Sequence, residues 1–142
     1  MSSAAESREF VDTNIWLYAY DGADARQAEA IRLLERLGEK GNGCLSVQVM
    51  QEFAVNALRQ DKNAMSSADV VDALEAMAGW VVHRPVGSDI AKAVRMVSRH
   101  QLSFWDAMIV LSARQLGCAV LWSEDLNGGQ TIEGVKIHNP FA

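Results

Sequence analysis

Short apolar runs alternate along this chain with longer segments of helical periodicity, and that alternation constrains the fold more than any other feature. Glu9-Phe10-Val11-Asp12, Cys44-Leu45, Trp80–His83, Cys118–Trp122 and Val135–His138 are too brief for helices and read as strands. Thr13-Asn14 can cap a short helix, Ile15–Tyr20, which Asp21-Gly22 ends. From Ala23 to Gly38, residues Ala30, Leu33, Leu34 and Leu37 share one face, and Gly38 suits a C-terminal stop. Ser46 caps a helix from Val47 to near Arg59, with Met50, Phe53, Ala54, Ala57 and Leu58 inward. Ser66 caps a helix with Val70, Val71, Leu74 and Met77 inward, and Ser88 one with Ile90, Ala91, Val94 and Val97 inward. Ser103 opens a last helix that ends at Gly117. Strands that alternate with helices predict an α/β fold, a single domain over residues 1–142 with a parallel central sheet and helices on both faces.

A chain of 142 residues buries a core of its own without staples. The opening MSSAAESRE has no apolar centre, and the apolar stretch around Ala107–Leu111 is far too short to span a bilayer. No membrane partner and a cytoplasmic location are therefore expected. Cys44 and Cys118 sit in apolar surroundings and read as small buried hydrophobes.

The acids carry the chemistry. Ligands of open parallel sheets bind outside the carboxyl ends of the strands. Asp12 ends the first strand, and Asp125 follows the run Cys118–Trp122. Asp106 lies in the first turn of one helix and Glu52 near the start of another. Four carboxylates from distant places are thus expected at one rim. Packed together, they repel one another unless a cation compensates. Oxygen donors without His or Cys suit Mg2+, with Mn2+ able to substitute, and such an ion activates water and stabilises charge on a phosphoryl oxygen. Three of the acids also have a plainer reading. Asp106 stands three residues after Ser103, as in a capping box; Glu52 fits a solvated helix face; Asp125 fits a turn before Asn127-Gly128-Gly129.

Four segments in order resemble the motifs of the PIN-domain ribonucleases, and within them the VapC-type toxins of bacterial toxin–antitoxin pairs. They are Phe10-Val11-Asp12-Thr13-Asn14-Ile15, Ser46 to Phe53 around Glu52, Leu102-Ser103-Phe104-Trp105-Asp106-Ala107, and Leu121-Trp122-Ser123-Glu124-Asp125-Leu126. The resemblance covers nearly the whole chain and implies a Rossmann-like fold. It implies a Mg2+-dependent endoribonuclease leaving 5′-phosphate and 3′-hydroxyl ends, a homodimer, and inhibition by a small antitoxin protein. Asp12, Asp106 and Asp125 would hold the metal, and Glu52 would complete the pocket, through water or directly. Thr13, Asn14 and Ser123 would orient these carboxylates and the substrate. The fourth motif departs from the family, which usually has a further acid where this chain has Asn127. Adjacent Glu124 and Asp125 leave the ligand of that loop open, with the spacing from Ser123 favouring Asp125. Two other readings of the acidic set are a PIN-like module that binds metal or RNA without cutting, and an aspartyl-phosphate protein using Asp12.

A net charge of −5 speaks against phosphate binding unless the cations are clustered. The candidate sets are Arg26, Arg32 and Arg36; Arg59 and Lys62; and Lys92, Arg95 and Arg99. Trp16, Tyr20 and Trp105 are candidates for stacking on bases, or else core. His83, His100 and His138 lack the spacing of ligands and read as structural or surface residues.

Overall fold

Every strand expected from the sequence forms, and one more joins them. In a computed structural model that describes residues 7–59 and 64–142, the order is β1 (Glu9–Val11), α1 (Thr13–Ala19), α2 (Gln27–Lys40), β2 (Gly43–Ser46), α3 (Val47–Ala57) and α4 (Ser67–Ala78). There follow β3 (Val81–His83), α5 (Gly87–His100), α6 (Phe104–Gln115), β4 (Val120–Trp122), β5 (Thr131–Ile132) and β6 (Val135–His138). Lys62 of the basic sets lies outside the described residues.

The sheet runs β3-β2-β1-β4-β6-β5. All neighbours are parallel except β5 and β6, which form a hairpin. The chain steps outward from β1 through β2 to β3, then crosses back to β4. Right-handed crossovers in opposite directions put α1 to α4 on one face and α5 and α6 on the other. The order therefore reverses between β1 and β4, and the crevice at the carboxyl ends of these two strands is where such sheets bind ligands. Phe10, Val11, Leu45, Leu121 and Ile137 from the strands are fully buried, and so are Leu37, Phe53, Met77 and Leu111 from the helices. Cys44 and Cys118 are buried free thiols. Among the described residues no helix is long and apolar enough to cross a membrane.

Several local expectations are corrected. The second helix begins at Gln27 instead of Ala23, because Asp21 and Asp24 accept hydrogen bonds from the Ala23 and Arg26 amides and hold turns in place of helix. It runs through Gly38 and stops at Gly41, whose φ of 72° supplies the left-handed cap. Gly43 is demanded by close approach, since a Cβ there would lie 2.3 Å from the Trp80 ring. In α5 the N-cap is Val86, not Ser88, and the Asp89 carboxylate accepts from the Val86 amide at 2.9 Å. The inward face is Asp89, Ala93 and Met96, while Ile90, Ala91 and Val94 are exposed. A buried polar cluster sets that rotation: Asp89 accepts from Gln115 at 2.8 Å and lies 3.6 Å from His83, whose Nδ1 is 2.7 Å from the Ser112 hydroxyl. Leu58 and Val71, expected inward on α3 and α4, are exposed.

The hairpin of β5 and β6 turns through Glu133 and Gly134, both at positive φ, 51° and 83°. A non-glycine residue in that region is strained, and charge holds it there. The Glu133 carboxylate receives His100 at 2.6 Å, Arg99 at 3.1 Å and Arg114 at 2.9 Å. The contact with His100, then those with the arginines, keeps its carboxyl below the usual glutamate range. A depressed carboxyl adds stability above its unfolded pKa, and this is lost as pH falls through the folded one. Glu133→Gln is accordingly expected to lower stability at pH 7 by about 1–3 kcal/mol. Thermal melts of the two proteins should converge as the pH drops below the ordinary glutamate value.

Candidate metal and nucleic-acid site

The switch point is built around one carboxylate. Asp12 follows β1 and caps α1, and it is buried although charged residues rarely are. Its amide donates to the Trp122 carbonyl at 2.9 Å, which sets it level with the end of β4. One carboxylate oxygen accepts from the Thr13 amide at 2.7 Å and the other from the Ser123 hydroxyl at 2.8 Å. Burial pushes its carboxyl up to about 6, held back by the bonds from Ser123 and Thr13 and raised further by the charges of Asp125 and Glu52. Those last effects place Asp125 and Glu52 within electrostatic range of Asp12.

Glu52 is tied into the same network. The Thr13 hydroxyl donates to one of its oxygens at 2.7 Å, and Gln48 donates to the other at 3.2 Å. Gln48 also donates to the Trp105 carbonyl at 3.3 Å, which links α3 to the residue preceding Asp106. Gln48 escaped the sequence reading, although its place one turn before Glu52 on α3 is the spacing that brings side chains together. The Asp106 amide donates to the Ser103 hydroxyl at 3.1 Å, so Ser103 does cap α6. The reciprocal half of a capping box is missing: among the described residues the Asp106 carboxylate makes no hydrogen bond and stays available. Both side-chain polar atoms of Asn14 are buried and make no hydrogen bond among the described residues.

The loop after β4 separates its two acids. Ser123 is fully buried, and its hydroxyl accepts from the Asp125 and Leu126 amides at 3.2 and 3.3 Å while donating to Asp12. Both oxygens of Glu124 lie 2.9 Å from Arg26, and the Tyr18 hydroxyl also donates to Glu124. Glu124 is thus occupied, and the exposed Asp125 carboxylate makes no hydrogen bond among the described residues. His83, His100 and His138 all lie in other contacts, the last with its ring 5.2 Å from that of Trp122.

The donor set is oxygen alone, and mutual repulsion at a buried carboxylate is what a hard divalent cation relieves, so the chemistry fits Mg2+ or Mn2+. The geometry as it stands is looser. Among the described residues no three His, Cys, Asp or Glu side chains converge tightly enough to hold an ion. Mg2+ keeps much of its water shell, so water between ion and carboxylates accommodates such spacing.

The family model described as PIN domain matches residues 10–127, from the strand before Asp12 to the loop after Asp125. The chain belongs to the PIN-domain family. Solved PIN-domain structures share the architecture. VapC20 of Mycobacterium tuberculosis, a sarcin-ricin loop cleaving toxin, superposes with a TM-score of 0.65 at 22% identity over 80% of this chain and 86% of that one. A toxin–antitoxin complex from Klebsiella pneumoniae gives 0.68 at 20% identity, with 93% and 97% covered. VapBC2 of Rickettsia felis, bound to a DNA fragment from its promoter, gives 0.66 at 14%, with 92% and 97% covered. No curated protein sequence matches the chain. At these identities the likeness is one of fold.

In this PIN domain the raised carboxyl of Asp12 has a stability consequence. Its folded pKa lies above the unfolded value of 3.8, so its favourable share is complete below about pH 4 and is lost as pH rises through about 6. Asp12→Asn removes the buried charge. In EDTA the variant is expected to exceed the parent in stability at pH 7 by up to about 3 kcal/mol and to match it near pH 4, as read by denaturant unfolding.

Proposed function

We propose that this PIN domain is a Mg2+-dependent endoribonuclease and the toxin of a toxin–antitoxin pair. The observation that carries the reading is the Asp12 carboxylate buried at the switch point and hydrogen-bonded to Ser123, which opens the loop that bears Asp125. A buried carboxylate without a cationic partner is costly, and a bound cation would offset that cost. Asp12, Asp106 and Asp125 would hold the ion, with Glu52 directly or through water. When bound, a divalent ion supplies an activated water and a counter-charge for the phosphoryl oxygens.

The chain's own residues arrange the rest. Ser123 and Thr13 fix the orientation of Asp12, and Thr13 with Gln48 fixes that of Glu52. No lysine or arginine is paired with Asp12 among the described residues, which disfavours an aspartyl-phosphate reading that needs a cation for the phosphate. Trp16 is spoken for in the core, with its indole N–H donating to the Val11 carbonyl. Trp105, by contrast, is 61% exposed immediately before Asp106, and it is the residue proposed to stack on an unpaired base. A small antitoxin is the proposed inhibitor, in keeping with the relatives solved as toxin–antitoxin complexes. A homodimer would use the exposed apolar side chains Ile90 and Val94 of α5.

Purified protein incubated with total RNA and Mg2+ is expected to create new 5′ ends at defined positions, read by end mapping. EDTA should stop the reaction, and Mn2+ should restore it. Asp12→Asn and Asp106→Asn should each cut cleavage by about 100-fold while remaining folded. Full activity of both variants would sink the proposal. For Trp105→Ala, weaker binding of single-stranded RNA by about 1–3 kcal/mol is expected, with Trp105→Phe intermediate, in titrations on the Asp12→Asn background.

A further inference from the structure

Arg26 stands in a constellation that the acidic site does not by itself require. It lies at the N-cap of α2 yet makes no side-chain cap. Its guanidinium crosses instead to the loop after β4. One nitrogen, Nη1, lies 2.9 Å from each oxygen of Glu124. Nε and Nη2 grip the two oxygens of Asp24 at 2.9 and 2.8 Å, and the Arg26 amide donates to Asp24 as well. The guanidinium carbon sits 3.6 Å over the Tyr18 ring, and the Tyr18 hydroxyl donates to Glu124. Asp24 and Tyr18 thereby hold Arg26 in one place, and Arg26 with Tyr18 holds Glu124. Planar, forked and always charged, arginine suits this use where lysine does not.

The position of Glu124 gives the clamp its meaning. Ser123 before it is pinned to Asp12, and Asp125 after it carries the free carboxylate. Two adjacent residues anchored to different elements leave the turn little freedom. Released, Glu124 would be a second unneutralised acid one residue from Asp125.

We propose that Arg26 is a positioning residue for the acidic site: by fixing Glu124 against Tyr18, it sets the Ser123–Leu126 turn so that Asp125 alone is presented to Asp12. This rests on the metal-site reading above and adds a residue that reaches the metal only through another.

The test is Mn2+ binding to the full-length protein by electron paramagnetic resonance, beside RNA cleavage and thermal melts. Arg26→Ala and Glu124→Gln are each expected to weaken Mn2+ binding by about tenfold. The double variant should be no weaker than either single one, because both remove the same clamp. Arg26→Lys should recover part of the affinity, and KM for RNA should change less than kcat. If Arg26→Ala folds poorly, Glu124→Gln and Arg26→Lys carry the comparison. Affinities within twofold of the parent for both single variants, or losses that multiply in the double one, overturn the clamp while leaving the nuclease reading intact. A parent protein that neither binds Mn2+ nor cuts RNA overturns both.

Discussion

The hydrogen bond from Ser123 to Asp12, 2.8 Å long and buried, joins the ends of two strands that are adjacent in space and 111 residues apart in sequence. The rest of the site depends on it. It spans the place where the sheet order reverses, so it forms only when β1 and β4 are paired in register, with Val11 opposite Trp122. Ser123 meets three demands with one hydroxyl, donating to Asp12 and accepting from two amides of the following turn. The loop therefore has the right shape only when the sheet is right, which couples folding to assembly of the acids.

That coupling is costly. A carboxylate buried at the end of a strand, near two others, opposes the stability of the fold that holds it. The hydrogen bonds from Thr13 and Ser123 offset part of the cost and leave the carboxyl raised. Elsewhere the protein pairs its acids with cations, as at Glu133 with His100, Arg99 and Arg114, or Glu124 with Arg26. Asp12, Asp106 and Asp125 have no such partner among the described residues. The contrast separates acids neutralised by cations within the fold from acids that are not.

Much of this was legible because it is local. A short apolar run ending in Asp12, serines capping at 46, 66 and 103, and Gly117 beyond α6 all act through neighbours in the chain, and each behaves as read. Failures came where a distant contact outranked the local signal. The periodicity of α5 offered Ile90 and Val94 as an inward face, but the buried cluster of His83, Ser112 and Gln115 claimed Asp89 and turned the helix. Gly38 looked like a stop, yet α2 continues past it beneath the Trp80 ring. The two-residue strand β5 is too short to show a period at all. Glu124 and Asp125 could not be told apart in sequence because what distinguishes them is Arg26, 98 residues away.

The same pairing of charges bears on the objection raised by a net charge of −5. The arginines of the first basic set are all engaged within the fold: Arg26 with Asp24 and Glu124, Arg32 with Glu29, Arg36 with Glu9. Arg99 of the third set is held by Glu133, whereas Lys92 and Arg95 are exposed on α5 and form no salt bridge among the described residues. Arg8, Arg59, Arg84 and Lys136 are likewise exposed and form no salt bridge among the described residues, so cations able to meet a phosphate backbone remain, dispersed over several elements. Beside them the surface offers the exposed Trp105 indole next to Asp106, and the Asp106 and Asp125 carboxylates, which have no cationic partner among the described residues. On the metal-dependent nuclease reading proposed above, such a site would draw affinity from an ion shared with one phosphate and from an unstacked base, which would favour a short single-stranded segment over a long duplex.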